Sequence, residues 1–217
     1  MKPAYKMVCF DMDGTLLDSM GYWRMCNVEF LLKNNLPFDQ EIMQDALFRS
    51  SGVMVDRYIE RYGLTEPREI LINQYIRFMD DHYERDVKVK GNAEKYLWWL
   101  RRNGIRVCVG TATPRHVATR ALSRLGLMPY IDFVTDPYEM GCSKAKPEFF
   151  YNLAKKCGLD VTEIAMFEDA YYAMQGAKAA GCTVLAIEDQ TAFREKEDIL
   201  KIADRYVRSF DEMIEED

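Results

Sequence analysis

The stretch "VCFDMDGTLLDS", residues 8–19, places two aspartates directly behind an apolar run. Val8, Cys9 and Phe10 read as the end of a strand buried on both faces. Asp11 and Asp13 follow with one residue between them, then Gly14 and Thr15. Two carboxylates this close repel each other unless a cation or a reaction makes use of them. A calcium loop needs D-x-[DN]-x-[DN]-G between two helices. Here a strand comes first and Gly14 follows the second aspartate at once, so that reading is set aside. A plain acidic turn stays open until the other strand ends are read.

From about residue 88 the chain alternates helical and strand-like segments. "AEKYLWWLRRNG" predicts a helix with Ala93, Tyr96, Leu97 and Leu100 on one face, and "IRVCVG" predicts a buried strand. "RHVATRALSRLG", "PEFFYNLAKKCG" and "AMQGAKAAG" read as helices; "IDFVTD", "IAMFED", "CTVLAI" and "RYV" read as strands. Gly104, Gly126, Gly158 and Gly181 each close a helix. Ser209-x-x-Glu212 reads as a capping box opening a last helix. Alternation of this kind predicts an α/β fold, a doubly wound parallel sheet with helices on both faces. Residues 18–86 lack a strand rhythm and predict a helical insert, or cap, leaving 1–17 and 87–217 as the core domain.

Of the 217 residues, 48% are apolar and 12% aromatic, enough for a substantial core and unlike a disordered chain. The net charge of −6 gives no basic footprint for nucleic acid. Apolar runs fall far short of a membrane span, and the N-terminus does not resemble a signal peptide. The six cysteines form no C-x-x-C pair and predict free thiols in a reducing cytoplasm. A monomer or weak homodimer is expected, with neither nucleic acid nor membrane as partner.

Parallel sheets bind ligands at the carboxyl ends of their strands. Those ends carry Asp11 and Asp13, then Thr111-Ala112-Thr113, then Glu168-Asp169, while Lys144 and Lys146 precede a helix. Oxygen ligands of this kind suit Mg²⁺ rather than zinc. A hydroxyl and an ammonium beside a metal point to an anionic partner, with phosphate as the natural candidate. Three strand ends and the lysine-bearing loop together displace the plain-turn reading.

"DMDGTLLDS" resembles the first signature of the haloacid dehalogenase superfamily, and the resemblance runs through nearly all of the predicted core. Thr111 matches the second signature, "SKAKPEFFYNLAKKCG" the third and "FEDAYYAMQGAKAAG" the fourth. The third departs from the usual pattern, with Ser143 where glycine is common and a second lysine, Lys146, before Pro147. Lys144 is favoured as the catalytic lysine, and Lys146 stays open.

The resemblance implies a nucleophilic Asp11, an acid/base Asp13, and Thr111, the Ala112 N–H and Lys144 on the phosphoryl oxygens. It implies Mg²⁺ held by Asp11, the Asp13 carbonyl and Asp169, with Glu168 beside it. Asp13 points to phosphate transfer, since the dehalogenases of the superfamily lack a second aspartate.

The insert resembles the helical caps of the β-phosphoglucomutase and phosphoglycolate phosphatase type. The mutases carry a histidine where this chain has Trp23. That favours a Mg²⁺-dependent phosphatase acting on a small phosphorylated metabolite, with a sugar-phosphate mutase as the alternative. Trp23 and Arg49 are candidate substrate contacts, against core packing for the tryptophan and a solvated surface for the arginine; Arg24 is weighed in the same way. His82 and His116 are expected to be structural or exposed, and the stripe of Tyr58, Tyr62, Tyr75 and Tyr83 to be cap core.

Overall fold

The computed structural model describes residues 5–41 and 51–214. The strands are β1 (Met7–Phe10), β2 (Leu17–Asp18), β3 (Lys88–Val89), β4 (Arg106–Gly110), β5 (Phe133–Thr135), β6 (Ile164–Glu168), β7 (Thr183–Ile187) and β8 (Arg205–Val207). The helices are α1 (Met20–Lys33), α2 (Ser51–Tyr62), α3 (Arg68–Arg85), α4 (Ala93–Arg102), α5 (Arg115–Arg124), α6 (Pro137–Met140), α7 (Pro147–Cys157), α8 (Tyr171–Ala180) and α9 (Lys196–Ile202). The chain forms two compact units, Met1–Asp18 with Lys88–Asp217, and Ser19–Val87.

The larger unit is built on a six-stranded sheet in the order β5-β4-β1-β6-β7-β8, parallel throughout. β1 lies between β4 and β6, with Cys9 opposite Cys108 on one side and Met166 on the other. A central strand has no solvent face, which is why "MVCF" is apolar without alternation.

Its pleat sends alternate side chains to opposite layers. Phe10 stacks on Phe167 of the next strand at 5.4 Å, and Tyr96 of α4 and Phe210 complete an aromatic cluster. Met7 and Cys9 face the other layer, where Phe149, Phe150 and Leu153 of α7 and Met174 and Ala177 of α8 pack. Helices therefore cover both faces, as the alternating pattern predicts. All four glycines read as helix stops have positive φ, the conformation in which they close a helix cheaply.

Two local expectations are corrected. Ser209 and Glu212 do not form a capping box, and among the described residues no α-helix follows them. Ser209 accepts from the Asp211 N–H, Glu212 accepts from the Arg208 N–H, and Phe210–Met213 forms a 3-10 turn. The second correction is an addition: β2 and β3 pair antiparallel as a two-residue ribbon, Leu17 opposite Val89 and Asp18 opposite Lys88. Two residues are too few to leave a periodic signal.

In the smaller unit α1 packs on α3, and α3 on α2. Phe30 stacks on Tyr58 at 4.8 Å, and Trp23 on Tyr75 at 5.9 Å. The Asn27 side-chain oxygen accepts from the Tyr58 hydroxyl at 2.6 Å and the Tyr75 hydroxyl at 2.9 Å, while its amide donates to the Trp23 carbonyl. Tyr58, Tyr75 and Tyr83 are buried, so the tyrosine stripe is core, and Tyr62 at its edge donates to the Pro37 carbonyl. Part of the predicted helix "DQEIMQDALFRS" lies outside the described residues. Among the described residues no helix is long and apolar enough to cross a membrane.

Candidate active site

Because β1 is flanked by β4 and β6, the ends of three adjacent strands meet. Asp11 leaves β1 with its N–H still donating to Phe167 of β6 at 2.9 Å, so its side chain is anchored by the sheet. Thr111 leaves β4 with its N–H on the Thr135 carbonyl. Glu168 ends β6 and Asp169 follows. Lys144 comes from the loop between α6 and α7, and only 1% of its surface is exposed. Lys146, by contrast, is exposed and lies at the start of α7, so the geometry puts Lys144 among the carboxylates and Lys146 outside them.

The Lys144 ammonium donates to Asp11 Oδ1 and, at 2.9 Å, to Glu168 Oε2. The other Glu168 oxygen accepts from the N–H groups of Asp169 and Ala170, at the head of α8. Asp13 accepts from the Thr113 hydroxyl at 2.9 Å, and the Thr113 N–H donates to Thr111 Oγ1 at 3.0 Å. Thr15 donates to Asp169 Oδ1 at 3.1 Å. Ala112 is exposed between the two threonines.

Electrically the cluster is short of positive charge. Asp11, Glu168 and Asp169 are buried and each brings a carboxylate oxygen within 4.8 Å of the others. Burial and then Glu168 push the Asp11 carboxyl up to about 8, against the pull of Lys144. Burial, Glu168 and Asp11 likewise hold the Asp169 carboxyl well above the usual carboxylate range. Burial alone would lower Lys144, but Asp11 and Glu168 outweigh it and keep the ammonium charged well beyond neutral pH. One ammonium does not balance three buried carboxylates, and a hard divalent cation fits the remainder. Asp11 Oδ2 and Asp169 Oδ2 accept no hydrogen bond among the described residues, which leaves them open for it.

Sequence reading missed four residues near this cluster. Thr15 and Thr113 lie inside the quoted motifs but offered no sign of which carboxylate each would hold. Lys90 and Asp189, paired at 2.9 Å, come from loops outside the motifs. Trp23 is half-buried against Tyr75 in the smaller unit, and Arg24 is exposed there. Arg49 lies outside the described residues. His116 is exposed, and His82 bonds Asp86 at 2.9 Å.

Residues 5–181 match the haloacid dehalogenase-like hydrolase family. The chain belongs to that family. It is similar to the mitochondrial (DL)-glycerol-3-phosphatase 1 of Arabidopsis thaliana, 26% identical over 84% of this chain and 63% of the relative. It thus spans just under two thirds of that protein. The fructose-1-phosphate phosphatase of Escherichia coli is 26% identical over 83% of this chain and 95% of its own length. The β-phosphoglucomutase of Clostridium difficile superposes with a TM-score of 0.78 at 19% identity, covering 97% of this chain and 93% of the other. That likeness shows a shared fold, the haloacid dehalogenase-like core that the four motifs predict.

Proposed function

We propose that the chain is a Mg²⁺-dependent phosphatase of small phosphomonoesters, working through an aspartyl phosphate on Asp11. The observation that carries this reading is the placement of Lys144 between Asp11 and Glu168, with Asp13 two residues beyond Asp11 at the same strand end. Lys144 fixes Asp11 Oδ1, so the carboxylate is oriented for in-line attack. An Asp11 oxygen forms a bond to phosphorus as the ester P–O bond breaks. Asp13, held by Thr113, gives its proton to the leaving oxygen. In the second half a water attacks phosphorus, Asp13 takes its proton, and the bond between Asp11 and phosphorus breaks to release phosphate. Thr111, the Ala112 N–H and Lys144 bind the phosphoryl oxygens as charge spreads over them. Mg²⁺, held by Asp11, the Asp13 carbonyl and Asp169 with Glu168 alongside, would neutralise phosphoryl charge in this site.

Units Met1–Asp18 with Lys88–Asp217 serve as the catalytic core and Ser19–Val87 as the cap. The names of the relatives support phosphorylated sugars and polyols as the substrate class. Six free thiols support a cytoplasmic location, and the chain acts as a monomer or weak homodimer.

The test is phosphate release from a panel of phosphorylated sugars, polyols and hydroxy acids, with Mg²⁺ or chelator. Release that requires metal and drops more than about 10⁴-fold in Asp11→Asn supports the mechanism. Transfer of the phosphoryl group between positions of one sugar, without release, would support a mutase instead.

A further inference from the structure

Lys90 is the first residue after β3, and it grips the loop that follows Asp13 at two points. Its N–H donates to the Leu16 carbonyl at 2.8 Å, and its ammonium donates to the Gly14 carbonyl. Gly14 has a φ of 82°, a conformation that side chains rarely adopt, and this turns its peptide within the loop. The same loop is closed by Gly14 N–H on Leu17 O and Leu17 N–H on Met12 O. Beyond Gly14, the Lys90 ammonium pairs with Asp189 Oδ2 at 2.9 Å. Asp189 is itself fixed, its other oxygen accepting from the N–H and hydroxyl of Thr191 at 2.9 and 2.7 Å. The side chains of Lys90 and Asp189 are 16% and 8% exposed, so water competes little for this contact. The loop so held carries Asp13 on one side of Gly14 and Thr15 on the other, and these bond Thr113 and Asp169.

We propose that Lys90 and Asp189 form a latch that positions the Asp13–Thr15 loop for catalysis. Lys90 is a positioning residue: it touches Gly14, and through it sets the direction of the acid/base carboxylate and of the hydroxyl on Asp169. Asp189 holds the latch closed. Neither residue lies in the four motifs. A merely structural ion pair would affect melting without regard to the step that Asp13 performs. A latch on Asp13 lowers kcat and leaves KM nearly alone, because proton transfer is felt only in the transition state.

This inference rests on the phosphatase reading for its rate readout, and hydrogen exchange supplies a readout that does not. Lys90→Met keeps the length of the stem and removes the charge; Asp189→Asn removes the other half. In Lys90→Met the amides of Gly14 and Leu17 should exchange at least about tenfold faster, with those of β1 and β6 unchanged. With Mg²⁺ and the best phosphomonoester, kcat should fall roughly 10- to 100-fold at a KM within about twofold. Asp189→Asn should show the same pattern, and the double variant should be no worse than the worse single one. Unchanged exchange in both variants overturns the latch. Faster exchange with wild-type kcat, or a loss confined to KM, overturns its catalytic role. If the wild type hydrolyses no phosphomonoester the phosphatase reading fails, and exchange still decides whether the latch exists.

Discussion

Gly176 in α8 is where helix packing bears directly on Lys144. A Cβ built on Gly176 would stand 2.1 Å from the Lys144 carbonyl oxygen and 2.8 Å from the Ala145 carbonyl carbon. Real Cβ contacts stay beyond 3.0 Å, so Gly176→Ala must push the Lys144 peptide roughly 1 Å away from α8. The obstacle is backbone, which cannot swing aside as a flexible side chain would. The Lys144 ammonium then loses its seat between Asp11 and Glu168, where the contact to Glu168 is 2.9 Å.

A misplacement of about 1 Å at a reacting group costs about 10²-fold in rate, or about 2.7 kcal/mol of transition-state stabilisation. Stability should change less. Overpacking costs about 1–3 kcal/mol, and alanine in a helix returns about 1 kcal/mol relative to glycine. The melting temperature should therefore drop by only a few degrees, about 2–4 °C per kcal/mol for a chain of this size. The assay is steady-state phosphate release beside a thermal melt of the same preparation. A Gly176→Ala protein that keeps at least half of the wild-type kcat would refute the reasoning, because Lys144 would then have been left in place.

Three further outcomes are expected. In chelator, the pH dependence of stability should carry the signature of Asp11, whose carboxyl burial and Glu168 push up to about 8 from 3.8. The folded state keeps a proton that the unfolded chain releases, so this contribution is full below about pH 4 and is lost as pH rises through about 8. Melting in chelator should fall across that window and Mg²⁺ should flatten the fall; a rise in chelator would sink the assignment. Asn27→Ala strips the buried Tyr58 and Tyr75 hydroxyls of their shared acceptor, and each orphaned donor costs about 1–3 kcal/mol. A denaturant titration should show that loss, and a change under about 1 kcal/mol would mean that the phenols find other partners. Asp13→Asn keeps an acceptor for Thr113 but has no proton to give, so kcat should fall about 10²–10⁴-fold, less for substrates with good leaving groups. Equal losses for aryl and alkyl phosphates would remove Asp13 from the leaving-group step.

The sheet was legible because its signal is redundant. Five of its six strands are largely apolar, each glycine stop has to be a residue tolerant of positive φ, and the candidate site falls where parallel strands end. Asp11, Thr111 and Glu168 could be assigned to one edge from that rule alone, although the order in which β1 comes to lie between β4 and β6 leaves no mark in local pattern. What stayed hidden was of a different physical kind. Lys90 and Asp189 are 99 positions apart, and a salt bridge between two loops has no period to read. The 3-10 turn at Phe210–Met213 shows the opposite failure: Ser209 and Glu212 have the right spacing for a capping box, but both find other partners among neighbouring N–H groups. Lys144 against Lys146 shows why geometry was needed even inside a recognised motif. Both lysines precede Pro147, and only the path of the loop turns one of them into the sheet. Gly176 holds that loop close, since a side chain there would occupy the space taken by the Lys144 carbonyl. The ammonium that reaches the carboxylates is thus selected partly by the absence of a methyl group on a helix 32 residues away, a constraint that no reading of the motif containing Lys144 could supply.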